Sequence, residues 1–452
     1  MERFELGLAM RLWRTHRALR RRDAWPRDRL LAHQEAALRR LRAHAYRHSA
    51  FYRRWHAGLE DRPLTDLPVM SKGRLLEVYD EAVTDPDLCY RDLEAFVAAD
   101  RSGYLHGRYV VVSTSGSSGR PALFAYDARE WAWILASLGR GMTWAGLEPG
   151  GLRRRRVATV GTVSPWHMSA RAGMTLPGWW LPTLRVDAAA PIEVVAAQLM
   201  RWQPDLLVTY GSLLAGLADA QLWGRMDIAP RAIVCGADAL SAGARVRAAE
   251  AWETPVFEEY AATETAGIAA ECEVHRGLHI YEDLLVVEAV DDAGQPVPVG
   301  APAMRLLVTV LFARTLPLIR YELSDGVRLH TEACPCGRPF ARITGVDGRV
   351  SETLWLRSAQ GDPVTISPVV IHEVMDVAEV TGWQLLEEPD RLCLRVVIPE
   401  RGTDVSESLP RKLTEALGRH GAVVPPIVVE SVSAIERGPG SKVALIKPLA
   451  AR

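Results

Sequence analysis

Two sets of residues in this chain have types and spacings suited to chemistry. The first follows a β-branched run in "VVSTSGSSGRPALF" (Val111–Phe124). Ser113, Thr114, Ser115, Gly116, Ser117, Ser118 and Gly119 suit an anion cradle. Glycine lets the backbone approach closely and take positive φ, and amides and hydroxyls donate to phosphate oxygens. No Gly-Lys-Ser/Thr follows, so the run is not a Walker loop. Taken alone, it reads equally as a flexible surface loop. The second set is Cys272, Cys334 and Cys336 with either His275 or His279. Three thiolates and one imidazole are a common tetrahedral zinc set, and Cys334-Pro-Cys336-Gly has the form of a knuckle. Four protein ligands make a closed, structural centre; buried thiols without a ligand are the plain alternative. Cys89, Cys235 and Cys393 read as ordinary buried thiols.

The elements that must position these residues are legible in outline. Residues 1 to about 95 are mostly helical, with Leu30, Leu31, Ala37, Leu38 and Leu41 at helical spacing. From about 108 to 330, short apolar runs such as "RVATVG", "DLLVTYG", "AIVCGA" and "PVFEEYA" alternate with Ala- and Leu-rich stretches. That alternation predicts an α/β fold with layered, largely buried sheets. After a break near "GVDGRVSE" (345–352), strands "RLCLRVVIP" and "PIVVESV" flank a helix over 407–421, which predicts a small α+β domain. The expected division is therefore a large domain over 1–349 and a small one over 350–452.

Composition excludes some functions. The 452 residues carry a net charge of −1, so no global field favours nucleic acid or membrane. The basic stretch "LRRLRAHAYRHSAFYRRWH" has the Leu and Ala spacing of an amphipathic helix with a solvated basic face. No run reaches the roughly 18 apolar residues a membrane helix needs. The N-terminal stretch lacks a secretion signal's apolar core and cleavage site, so a cytoplasmic location with reduced thiols is expected.

Four further stretches give the Ser/Gly run a context: "EEYAATETAG" (258–267), "PLIRYELSDGVRL" (317–329), "GVDGRVSE" (345–352) and "ERGPGSKVALIKP" (436–448). Their order and spacing resemble the motif series of the acyl-adenylate-forming superfamily. Within it the chain resembles the phenylacetate–CoA ligase family. "AHAYRHSAFYRRW" with "DLPVMSKGRL" looks like that family's N-terminal region, and "ECEVHRGLHIYED" with "CPCGR" like its central signature. The resemblance spans nearly the whole chain.

The resemblance implies roles for particular residues. Residues 113–119 would hold the β- and γ-phosphates of ATP, with Arg120 where many relatives carry lysine. Gly236, Ala237 and Asp238 would line the adenine pocket, and Tyr260 would pack on the base. Thr263 would meet the α-phosphate and Glu264 a Mg2+ ion; a hydroxyl beside a carboxylate suits both. Asp325 would bind both ribose hydroxyls, though this chain reads Leu-Ser-Asp where the family reads Thr-Gly-Asp. Arg349 would contact the ribose just before the interdomain hinge, where the usual acid pair is replaced by Ser351 and Glu352. Lys442 would steady the carboxylate and α-phosphate, a cation where transition-state charge gathers; Lys447 competes for that assignment. The resemblance favours His279 over His275 as the zinc ligand, because His279 falls in "GLH".

The acid pocket is expected among Trp166, His167, Trp179, Trp180 and Tyr210. Aromatic walls favour a planar or apolar acid, and the same tryptophans would serve as core. The implied reaction is adenylation of an aromatic or heterocyclic acid by ATP with Mg2+, then transfer to coenzyme A. The small C-terminal domain is expected to rotate between the two steps. An amine or a carrier-protein thiol is the alternative acceptor. A structural Zn2+ is expected, and a homodimer is admissible because relatives are often dimers.

Overall fold

The structure is a computed structural model. It describes residues 2–99, 103–114, 122–147, 155–176, 178, 181–238, 240–291, 293–303, 305–349, 352, 354–366, 368–375, 378, 380–398, 405–436 and 444–449.

The N-terminal region is helical: α1 (Glu2–Arg22), α2 (Arg27–His48), α3 (Ala50–Trp55), α4 (Lys72–Glu77), α5 (Tyr79–Ala82) and α6 (Tyr90–Ala98). In α2, Leu30, Ala37, Leu41 and Ala45 form one buried stripe, as their spacing requires. Several arginines of the basic stretch and its flanks are tied down within the chain. Arg42 donates to the carbonyls of Leu59, Glu60 and Arg62 at 2.6, 2.8 and 2.7 Å, and Arg27 pairs with Glu282. No described helix is long and apolar enough to cross a membrane.

The chain then forms an antiparallel hairpin of β1 (Val110–Ser113) and β2 (Leu123–Tyr126), so the Ser/Gly run is its connection. Helix α7 (Ala128–Trp144) starts in a capping box. Asp127 accepts from the Glu130 backbone, and Glu130 accepts from that of Asp127. Arg140 of α7 is buried between Asp23 and Asp283 at 2.6 and 2.7 Å. Loss of either acid would strand a buried charge.

Five parallel strands follow, with a helix between each pair: β3 (Val157–Gly161), α8 (Met168–Thr175), β4 (Thr183–Asp187), α9 (Ile192–Trp202), β5 (Leu206–Thr209), α10 (Gly211–Leu222), β6 (Ala232–Gly236), α11 (Ala242–Trp252) and β7 (Val256–Ala262). Their spatial order is β4-β3-β5-β6-β7. The order reverses between β3 and β5, so a crevice opens there at the carboxyl ends of the strands. Antiparallel strands extend the sheet: β8 (Ala266–Glu271), β9 (Leu278–Ile280), β11 (Pro302–Ala303), β14 (Asp325–His330) and β15 (Arg342–Arg349). A separate three-stranded sheet comprises β10 (Leu285–Val290), β12 (Arg305–Val310) and β13 (Tyr321–Leu323).

The last hundred residues have their own core. Hairpin β16 (Leu354–Arg357) and β17 (Pro363–Ile366), helices α12 (Pro368–Met375) and α13 (Ser408–Arg419), and the sheet β20-β19-β18-β21 enclose Leu354, Ile366, Leu385, Leu394, Leu413 and Ile446. The strands of that sheet are β18 (Gly382–Glu387), β19 (Leu392–Val397), β20 (Ile427–Ser431) and β21 (Ile446–Lys447). All residues of this cluster lie between 354 and 446.

Candidate active site

The candidate nucleotide residues meet at the carboxyl ends of β6 and β7. Gly236 ends β6 beside Glu259 of β7. A Cβ on Gly236 would stand 2.9 Å from the Glu259 carbonyl oxygen, so only glycine lets the two strands close here. Ala237 follows at φ +71, a left-handed conformation that alanine holds only under constraint. Asp238 accepts from the Ser212 hydroxyl at 2.6 Å, which ties this loop to the start of α10. Tyr260, one strand over, donates its hydroxyl to Asp325 Oδ2 at 2.6 Å. The β7–β8 turn carries Thr263 and Glu264, and Ala266 after it again has positive φ, +60.

Two tyrosines hold that turn. Tyr126 of β2 donates its hydroxyl to the carbonyls of Thr263 and Glu264 at 2.9 and 3.1 Å. Tyr321 of β13 donates to Glu264 Oε1 at 3.3 Å. Burial pushes the Glu264 carboxyl up from its ordinary value. A divalent cation would favour the ionised form there. A single carboxylate as protein ligand fits Mg2+, which keeps several waters and uses few protein ligands. Sequence reading assigned neither tyrosine a role, although Tyr321 lies four residues before Asp325 in a stretch already singled out. Each tyrosine reaches Glu264 only through strand packing.

The base of the Ser/Gly run is closed by reciprocal bonds. The Thr114 N–H donates to the Ala122 carbonyl, and the Ala122 N–H to Thr114 Oγ1, both at 2.9 Å. The Ser113 N–H donates to the Trp166 carbonyl at 2.7 Å, joining β1 to the loop after β3. Ser115, Gly116, Ser117, Ser118, Gly119 and Arg120 lie outside the described residues, as do Trp179, Trp180 and Lys442. The backbone of Arg349 pairs with Asp325 across β14 and β15; its side chain is outside the description.

On the acid side, Trp166 is half-buried and meets Phe96 edge-on at 5.6 Å between ring centroids. His167 precedes α8 and is half-buried. Tyr210 is buried, and its hydroxyl accepts from the Thr162 N–H at 2.9 Å. That bond spans β3 and β5, where the strand order reverses. Tyr210 thus braces the crevice and is also part of the core behind it.

The cysteine set closes into a cluster of its own. The ligand atoms of Cys272, His279, Cys334 and Cys336 all lie within 4.8 Å of one another. Cys272 Sγ is 3.9 Å from Cys334 Sγ, and Cys336 Sγ is 3.3 Å from His279 Nε2. A zinc ion with bonds of about 2.3 Å to sulfur sets tetrahedral sulfur–sulfur edges of about 3.8 Å, so the spacing fits. His279 Nδ1 lies 3.4 Å from the Phe340 carbonyl, a bond that directs the Nε2 lone pair into the cluster. Burial pulls the imidazole down to about 4, so it is neutral as a ligand must be. Burial also drives the Cys272 thiol up to about 12. Burial acts the same way on Cys336, but the Arg338 N–H donates to its sulfur, and the net effect is to lower its thiol. His275 lies elsewhere, 3.5 Å from Glu271 and against Phe257.

No protein-family model matches the chain. It is 26% identical over 366 residues to the phenylacetate-coenzyme A ligase of Thermus thermophilus, covering 77% of each chain. It is 24% identical over 373 residues to that of Pseudomonas putida, covering 76% of each. Among solved structures, it matches a 2-hydroxyisobutyryl-CoA ligase in the postadenylation state with R3-HIB-AMP. That match has a TM-score of 0.74 and 20% identity, over 96% of this chain and 92% of the other, and shows a shared fold.

Proposed function

We propose that this chain, which belongs to the phenylacetate–CoA ligase family of acyl-adenylate-forming enzymes, activates a carboxylic acid with ATP and passes the acyl group to coenzyme A. The observation that carries this reading is the arrangement around β7. Tyr260 is bonded to Asp325, the Thr263–Glu264 turn is held by two tyrosines, and the Gly236–Asp238 loop stands one strand away.

In this reading Tyr260 packs on adenine while its hydroxyl orients Asp325 toward the ribose hydroxyls. Thr263 meets the α-phosphate. Mg2+ at Glu264 would screen the phosphates as the acid's carboxylate attacks the α-phosphorus and pyrophosphate leaves. Trp166, His167 and Trp179 line the acid site, braced by Tyr210, and suit an aromatic or heterocyclic acid. Residues 1–349 form the domain that binds ATP and acid. Residues 350–452, which have their own core, form the mobile domain that brings Lys442 to the site for adenylation. Zinc at Cys272, His279, Cys334 and Cys336 is structural. ATP and coenzyme A as co-substrates suit a cytoplasmic enzyme.

The test is pyrophosphate release with ATP and Mg2+ across a panel of aromatic and heterocyclic acids, with and without coenzyme A. Acid-dependent release that Lys442→Ala abolishes, with a thioester formed when coenzyme A is added, is the expected result. Release that coenzyme A neither accelerates nor converts to thioester would overturn the assigned acceptor. Lack of release with every acid, in a chain that also fails to bind ATP, would overturn the adenylation reading.

A further inference from the structure

Helix α9 has one face committed to the core and the opposite face open. Val195, Ala196 and Leu199 are buried in the cluster formed with Val160 of β3 and Leu207 of β5. At about 100° per residue, the far side of the helix carries Glu193, Val194, Ala197, Gln198, Met200 and Arg201, and all six are exposed. All except Met200 line one open groove. Val194 and Met200 are 46% and 36% exposed, a high share for aliphatic side chains on one helix face. The chain enters α9 from β4, the edge strand of its sheet. Among the described residues, no further strand flanks it on that side.

This open face is complementary to itself. Glu193 and Val194 precede Ala197 by four and three residues, and Met200 and Arg201 follow it by three and four. A two-fold axis at Ala197, perpendicular to the helix, sets Glu193 of one copy level with Arg201 of the other at both ends of the contact. It also sets Val194 level with Met200. The two charges cannot meet within one chain, because eight residues span about 12 Å along a helix. Neither forms an ion pair or side-chain hydrogen bond with a described residue. Alanine at the centre lets two helices approach toward about 8 Å between axes. By contrast, exposed Met10 and Trp13 of α1 lie among exposed Arg11, Arg14 and Arg17, and that face would repel its own copy.

We propose that two copies of this chain associate through α9, antiparallel about a two-fold axis at Ala197. The association does not depend on the reaction assigned above. Val194, Ala197 and Met200 supply its apolar centre, and two Glu193–Arg201 pairs between the copies close its ends. A helix of 11 residues is about 16 Å long. The contact therefore belongs at the small end of specific interfaces and forms reversibly at micromolar concentration. Helix polarity offers a different reason for the same charges, since an acid near the N-terminus and a base near the C-terminus both suit the macrodipole. Under that reason each charge acts independently. Across the two-fold axis, the value of each charge depends on the sign of the other.

The experiment is sedimentation velocity of the full chain from about 1 to 100 µM, with a thermal melt of each protein. Wild type, Glu193→Arg, Arg201→Glu and the double variant are compared. Wild type should pass from monomer to dimer within that range. Each single reversal sets like charges together at both ends and should raise the dissociation constant about ten-fold or more. The double reversal re-forms both pairs and should return to within about three-fold of wild type. It should do so although it opposes the helix dipole twice and melts lowest of the four. A wild type that stays monomeric throughout would overturn the proposal. So would single variants that dimerise as wild type does. A double variant that dimerises no better than either single one would also overturn it, and would leave the two charges with the helix-polarity role alone.

Discussion

Replacing Glu259 by glutamine should change how stability depends on pH. Glu259 follows Glu258 on β7, and its Oε1 is shielded from solvent with no hydrogen-bond partner among the described residues. Gly141 of α7 and Ala270 of β8 crowd it: a Cβ on Gly141 would meet Glu259 Cδ at 3.3 Å and the Ala270 Cβ at 3.4 Å. Burial lifts its carboxyl from 4.5 to about 8. A shift of that size corresponds to at most about 5 kcal/mol at about 1.4 kcal/mol per unit. The residue as a whole is only half-buried, so solvent access reduces the figure to about 2–3 kcal/mol. The sign follows from proton binding. The native form holds this proton more tightly than the unfolded chain, so stability is full below about 4.5 and falls as pH rises toward about 8. Glutamine cannot ionise and lacks that loss. Chemical denaturation of both proteins at several values from pH 5 to 9 isolates the effect, because Glu258 and Glu130, each lifted to about 7 by burial, remain in both. Stability of Glu259→Gln relative to wild type should climb by about 2–3 kcal/mol in all, no more steeply than about 1.4 kcal/mol per pH unit, and be level above about 8. A difference that stays flat from pH 5 to 9 would refute the reasoning.

Three other outcomes follow from the geometry. Elemental analysis should find one zinc per chain, and Cys336→Ser should lose it and lower the melting temperature; a metal-free wild type with an unchanged melt would rule the centre out. Gly236→Ala should cost about 1–3 kcal/mol, because its Cβ meets backbone that cannot swing aside, and should weaken ATP binding; an unaltered melt and ATP affinity would contradict this. Tyr260→Phe removes the 2.6 Å bond to Asp325 and should raise the KM for ATP about five-fold with little change in kcat, a loss of about 1 kcal/mol. Nucleotide titration and steady-state kinetics would check it.

Residue type and local spacing made much of this protein readable in one dimension. The short apolar runs separated by helical stretches announced β3, β5, β6 and β7, because strands inside a covered sheet are rich in apolar residues; β4, which lies at the sheet edge with Arg185 and Asp187, gave no such run. The Ser/Gly run, the Tyr260–Glu264 stretch and the Cys-Pro-Cys knuckle are contiguous, so their chemistry survives without a fold. Choosing between His275 and His279 was not possible from spacing alone. Pairing of β9 with β15, which sets Arg342 opposite His279, puts that ring beside Cys336 and the Phe340 carbonyl. His275, four residues earlier, takes φ +52 and faces Glu271. Tertiary structure alone likewise joins Tyr126 and Tyr321 to Glu264 across separations of 138 and 57 residues. It also decides that Glu259 is shielded while Tyr260 beside it bonds to Asp325. Neighbours on a strand point to opposite faces, and which face is wet depends on what the rest of the chain stacks against it.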